Sequence, residues 1–165
     1  MPLPSYADEA GWRALDAKCA NFFSSTSKNT VAQLSVLPPT HKVMYLGEAV
    51  AWGLPNLVRC ALEAKISANS RGGGINRPVL VQAAFQGSIC ILKQLLDAGA
   101  DHSLTDSQGC TALFVAAHKG DLDCLQLLLA AGADASKPES ALGLTPLLTG
   151  RCSPFPICCS PAARE

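Results

Sequence analysis

The chain has 165 residues, room for one domain, and 48% of them are hydrophobic but only 5% aromatic. Such a core must be filled by Leu, Ala, Val and Ile, which suits thin helical layers and excludes an aromatic-rich sandwich or barrel. Thirteen basic and thirteen acidic residues give a formal net charge of +0, so no overall field draws in nucleic acid or an anionic membrane.

No apolar run approaches the roughly 20 residues of a membrane span. The opening MPLPSYADEA lacks the basic and then apolar order of a signal peptide. The expected residence is therefore intracellular, cytoplasmic and/or nuclear. In that setting the eight cysteines read as reduced thiols rather than a disulfide framework.

Residues 1–39 form an N-terminal helical or cap segment without repeat character. Ser5 and Asp8 have the spacing of a capping box, and Trp12, Leu15 and Cys19 continue on one helical face. Ser24 to Asn29 is polar and reads as a loop. Residues 31–37, VAQLSVL, are too short for periodicity to choose between helix and strand, and Pro38-Pro39 ends them.

Residues 40–69 form a degenerate repeat. Thr40 is placed to cap a helix over about 42–52, and Gly53 makes the turn. Pro55 suits the first position of a second helix, where its missing donor is not needed. That helix runs to about Lys65 and buries Leu57, Val58, Ala61 and Leu62. Lys65 stands where the later units have glycine.

Residues 70–104 and 105–138 are two clearer units. GGINRPVLVQAAFQGSICILKQLLDAGADHS at 73–103 aligns with DSQGCTALFVAAHKGDLDCLQLLLAAGADAS at 106–136, an offset of 33. Ala83-Ala84 falls on Ala116-Ala117, Leu95-Leu96 on Leu128-Leu129, and Gly99-Ala100-Asp101 on Gly132-Ala133-Asp134. Each unit reads as a finger followed by two short helices, and SRGGGI at 70–75 is a flexible finger. Thr111 caps the first helix, and paired alanines let neighbouring helices approach. Leu125, Leu128 and Leu129 give the second helix a buried stripe. Gly99 and Gly132 end it in a left-handed conformation, and Asp101 and Asp134 bond the turn that follows.

A fourth unit begins at 139–148, where GLTPL at 143–147 matches GCTAL at 109–113. It gives way to a disordered, Cys- and Pro-rich tail at 149–165, whose prolines at 154, 156 and 161 break any helix. This pattern is expected of a truncated or alternatively spliced form that regulates or competes with a longer parent. The outer leucines of the third unit then lack a complete neighbour, which predicts marginal stability or self-association.

A repeat of this period with two short helices signals a stacked solenoid, and such chains mostly bind proteins. GCTALFVAAHKG at 109–120 resembles the ankyrin-repeat pattern G-x-T-P-L-H-x-A-A-x-x-G, strongly in the third unit, well in the second and weakly in the first. Val81 and Phe114 depart from it at the histidine position, and Pro78 departs at the capping threonine. The resemblance implies an all-α, ankyrin-type helical repeat solenoid with short β-turn fingers. It implies a non-enzymatic scaffold or adaptor that holds a protein partner on the concave face of finger tips and first helices.

Carried onto this chain, the contact positions are Gly74, Ile75, Arg77, Phe85 and Gln86 in one unit. In the next they are Thr105, Ser107, Gln108, Cys110, His118 and Lys119. Phe85 stands out as an aromatic anchor or, equally, as packing between helices.

No other chemistry carries weight. Cys152, Cys158 and Cys159 form no CxxC pair and have no histidine nearby, so no zinc site is expected. Cys110 and His118 have the residue types of a nucleophile and base, but both read as variable surface positions. Gly72-Gly73-Gly74 lacks the Lys-Ser/Thr of a phosphate loop. No cofactor is expected, and neither nucleic acid nor membrane is expected as a partner.

Overall fold

A computed structural model describes residues 9–19, 25–72 and 77–136. The fourth unit, the tail and the Ser5–Asp8 capping box lie outside them. The described helices, in chain order, are α1 (Glu9–Cys19), α2 (Ser25–Val36), α3 (Pro39–Ala51), α4 (Pro55–Glu63), α5 (Val79–Gln86), α6 (Ile89–Asp97), α7 (Ala112–Lys119) and α8 (Leu122–Ala130). Two short antiparallel strands, β1 (Arg71–Gly72) and β2 (Arg77–Pro78), pair Arg71 with Pro78 and Gly72 with Arg77.

Three helical hairpins stack side by side. The first helices α3, α5 and α7 form an inner row, and α4, α6 and α8 form an outer one. The inner row is tight because its contact positions are small. Ala49, Ala83, Ala84 and Ala116 are wholly buried, so neighbouring backbones approach over side chains that lose no rotamer entropy. Leu46, Leu80 and Leu113 repeat on the same row, each at most 2% exposed. In the outer row Leu57, Ile91, Leu92, Leu95 and Leu128 are buried. The fold is the all-α repeat solenoid that the periodicity implied.

The third unit builds its ends locally. The Thr111 hydroxyl accepts from Phe114 N at 3.3 Å, and the Asp121 carboxylate accepts from Cys124 N at 3.2 Å. Each satisfies a backbone donor left open by the first helical turn. Asp101 and Asp134 both accept from the backbone and hydroxyl of the serine two residues on, at 2.6–2.8 Å. Gly99 and Gly132 have φ of 79° and 89°, the left-handed region expected for them.

The first unit differs from its sequence reading in three ways. Thr40 is not the cap of α3: Pro38 is the N-cap, Pro39 opens the helix, and the Thr40 hydroxyl lies 3.4 Å from the His41 ring. Proline at the first helical position needs no donor satisfied, so a hydroxyl cap is dispensable. Pro55 does open α4, as expected, but that helix ends at Glu63. Lys65 then takes φ of 60°, doing without a glycine what Gly99 and Gly132 do with one. Leu62 is half-buried rather than buried.

The N-terminal segment also departs from expectation. Residues 25–29, read as a loop, are the first turns of α2, which continues through the stretch left open between helix and strand. Short helices are held mostly by burial of one face, and Leu34 is fully buried with Val31 packed beside it. In α1, Trp12 and Leu15 are buried as one face, and the Trp12 ring lies 4.9 Å from Tyr45 of α3. Asp16 of α1 reaches α4: its carboxylate accepts from Leu57 N and from Asn56 Nδ2, both at 2.9 Å. Leu54, the local N-cap of α4, has no side-chain acceptor to offer, so α1 caps α4 across 41 residues of chain.

The finger of the second unit presses on α3. A Cβ on Gly72 would lie 2.5 Å from the Cα of Gly47; two glycines facing each other allow β1 to sit against the helix backbone.

Candidate protein-interaction face

The inner helices and the described parts of the fingers form the candidate face. On it, the end of each inner helix is tied to its predecessor. The Gln86 side-chain nitrogen donates to the carbonyl of Ala51, and the Lys119 ammonium donates to the carbonyl of Phe85. Gln86 and Lys119 occupy equivalent positions in consecutive units, and each satisfies a carbonyl that a helix C-terminus leaves open. The repeat therefore propagates a side-chain-to-backbone link as well as apolar contact. Both are contact positions implied by the repeat resemblance, and both also link neighbouring repeats.

Phe85 lies in the middle of this face, half-buried. Its ring centre is 5.1 Å from Arg77 Cζ and 5.0 Å from Lys119 Nζ, within the range at which a cation is drawn to an aromatic face. The two readings of Phe85 meet in one residue: part of the ring packs against the core, and part stays open.

Arg77 and Cys110 are not surface contacts. Arg77 is 8% exposed, with Nε 3.6 Å from Asp106 and NH1 3.2 Å from Gln82 Oε1. The Asp106 carboxylate also accepts from the backbone of Gln108 and Cys110 at 2.8 and 3.0 Å. A buried guanidinium must find an opposite charge, and the two fingers supply the pair between them. Cys110 is fully buried beneath the turn that Asp106 holds. The alignment placed both residues on fingers but carried no information about which side of the finger they take.

Ser107 and Gln108 are exposed at the finger tip, and Thr105 is half-buried. His118 is half-buried, stacked on Phe114 at 6.5 Å with the rings 4° from parallel. Gly74 and Ile75 lie outside the described residues. Met44 is 47% exposed on α3, although it aligns with Pro78 and Thr111, which are both buried, so the alignment gave no sign of its exposure. Arg71, exposed on β1, was missed as well.

Cys110 lies in the turn before α7, and His118 lies near the end of that helix. Cys124 on α8 is pushed up to about 12, chiefly by burial and then by its bond to Asp121 and the charges of Asp121 and Asp123, so its thiol stays protonated and unreactive. A separate groove of about 560 Å³ runs between the C-terminal ends of α4 and α6, lined by Arg59, Lys65, Asn69, Gln94 and Asp97 among others. None of the predicted contact residues borders it. Among the described residues, no helix is long and apolar enough to cross a membrane.

Residues 80–150 match the family model of ankyrin repeats, in three copies. They are ankyrin repeats. The ankyrin match begins inside α5 and extends through the start of the fourth unit, so α1 to α4 lie before it. No curated protein matches the chain. Ankyrin repeats are in general protein–protein interaction modules.

Proposed function

We propose that this chain is a non-enzymatic adaptor that binds a protein partner across the face made by its fingers and inner helices. The observation that supports this is Phe85. It is an aromatic side chain left half-open on the middle inner helix, beside Gln86 and Lys119, which link neighbouring repeats. A pre-ordered aromatic in such a setting binds with little loss of rotamer freedom. Gln86, Thr105, Ser107, Gln108, His118 and Lys119 would surround the partner, with Gly74 and Ile75 from the neighbouring finger. Arg77 and Cys110 leave the contact set because of their burial.

A photo-crosslinking residue at Ser107 should capture a partner in cells, and one at Lys93 on the outer helix α6 should not. Phe85→Ala should then weaken that complex by about tenfold or more, the loss expected of a central anchor. Capture from both positions alike, or a complex indifferent to Phe85→Ala, would overturn the assignment of the face.

A further inference from the structure

The charges of this molecule are not spread evenly over its two rows. Among the described residues, the inner helices and fingers carry two carboxylates, Glu48 and Asp106, and both are buried. Asp106 is already paired with Arg77. The remaining charged side chains there are basic: Lys42 on α3, Arg71 on β1 and Lys119 on α7, with His41 and His118 beside them. Undescribed residues 73–76 of the finger are Gly, Gly, Ile and Asn and add no charge. The exposed carboxylates of the array stand elsewhere. Glu63, Asp97 and Asp123 lie on the outer helices α4, α6 and α8, mixed with Lys65 and Lys93. Asp101 is turned into its own loop, bonded to Ser103, and its backbone is held by Asn69 of the outer groove. Asp121 is occupied in capping α8.

Among the described residues, the inner helices and fingers thus present basic side chains with no exposed carboxylate among them, while Asp134, like Asp101, is bonded to the serine two residues on. The basic groups are not spent. Lys42 gives one of its three ammonium donors to Ser35 O at 2.8 Å, and Lys119 gives one to Phe85 O, leaving two on each. Two apolar groups, Phe85 and Met44, are open on the same face.

We propose that the occupant of this face is an extended acidic peptide segment with interspersed apolar side chains, its carboxylates meeting Arg71, Lys119 and Lys42 and its apolar groups meeting Phe85 and Met44. This rests on the interaction face proposed above and adds the chemical class of the partner. Complementary charge steers encounter and sets specificity even where it adds little affinity. Three inner helices at 8–10 Å spacing span about 20 Å, which an extended segment of about six residues covers at roughly 3.3 Å each.

The test uses two fluorescein-labelled decapeptides, one alternating Glu and Leu and one alternating Lys and Leu, titrated with the full chain by fluorescence anisotropy. The acidic peptide should bind and the basic one should not. Binding should weaken several-fold as salt rises from about 50 to about 200 mM, as screening shortens. Arg71→Glu should cost about tenfold, and Lys119→Glu a similar amount, whereas Lys93→Glu on the outer row should leave affinity unchanged. Arg71 is exposed on a strand, so its reversal keeps the test valid if Lys119→Glu disturbs folding through the Phe85 carbonyl. Equal binding of the two peptides, no binding of the acidic one, or equal loss from Lys93→Glu would overturn the proposal. So would displacement of the acidic peptide by an equal concentration of single-stranded oligothymidine, which would reassign the face to phosphate. If the acidic peptide fails while the Ser107 crosslink still depends on Phe85, the partner class falls and the face stands; if both fail, the face falls too.

Discussion

The first and third units of the array have the same shape and are held in it differently. In the third, Thr111 and Asp121 cap their own helices from the adjacent residue, and Gly132 closes α8 with the left-handed turn that glycine takes without strain. In the first, both helices open on proline with no side-chain cap from their own N-cap residue. Asp16 supplies the missing acceptor for α4 from a helix outside the repeat, and Lys65 is held at φ of 60°. A regular repeat carries its instructions within itself. A degenerate one keeps the same backbone by taking those interactions from neighbours, so its stability depends on contacts that its own residues do not announce.

That contrast can be broken most directly in the core. Leu34 of α2 and Leu128 of α8 are both fully buried. If the N-terminal helices are a true neighbour of the first unit, Leu34→Ala should cost about as much as Leu128→Ala, roughly 2–5 kcal/mol each, in urea unfolding followed by circular dichroism. A loss below about 1 kcal/mol for Leu34→Ala would mean that the segment docks without supporting the array. The caps give the next effect. Asp16→Ala should cost about 1–2 kcal/mol, at least as much as Thr111→Ala at about 1, because it leaves two donors open, Leu57 N and Asn56 Nδ2, where the threonine serves one.

A smaller effect of opposite sign is expected at Lys65. Lys65→Gly should stabilise the protein by up to about 1 kcal/mol, the relief of left-handed strain less the added freedom of glycine in the unfolded chain. A destabilisation there would show that the Lys65 side chain contributes more than its backbone costs.

The smallest effect is kinetic and concerns the thiols. Iodoacetamide at about pH 8 should modify exposed Cys90 and spare Cys60, Cys110 and Cys124 of the folded protein, as mapped by peptide mass spectrometry. The folded Cys124 thiol titrates near 12 against an ordinary 9.0, so the folded state holds this proton more tightly than the unfolded one. The stability it contributes is complete below pH 9.0 and is lost as pH rises towards about 12. Alkylation of Cys124 as fast as Cys90 would mean that α8 opens readily, and that the locally capped unit is not the firmer of the two.

Much of this was legible in the chain. The offset of 33, the alanine pairs, the glycine stops and the Thr111 cap all express requirements that a residue meets against its near neighbours. The misreadings share a cause. Ser25 to Asn29 looked like a loop because polar residues carry little helical signal of their own, and only the burial of Leu34 further along α2 draws them into a helix. Arg77 and Cys110 looked like contact residues because the alignment assigns a position on the finger but not the side of it. Asp106, which turns Arg77 inward and holds the backbone above Cys110, gave no sign of that role.

The sequence by itself determined the repeat, its helices and the closeness of its inner row, because turn chemistry, capping and apolar spacing act over a few residues. Tertiary structure alone decided which charges face inward, which helix caps α4, and that Gln86 and Lys119 bind backwards along the array. Those outcomes join residues about 35 to 41 apart, and an electrostatic or hydrogen-bonded pair forms only where folding brings both partners out of water together.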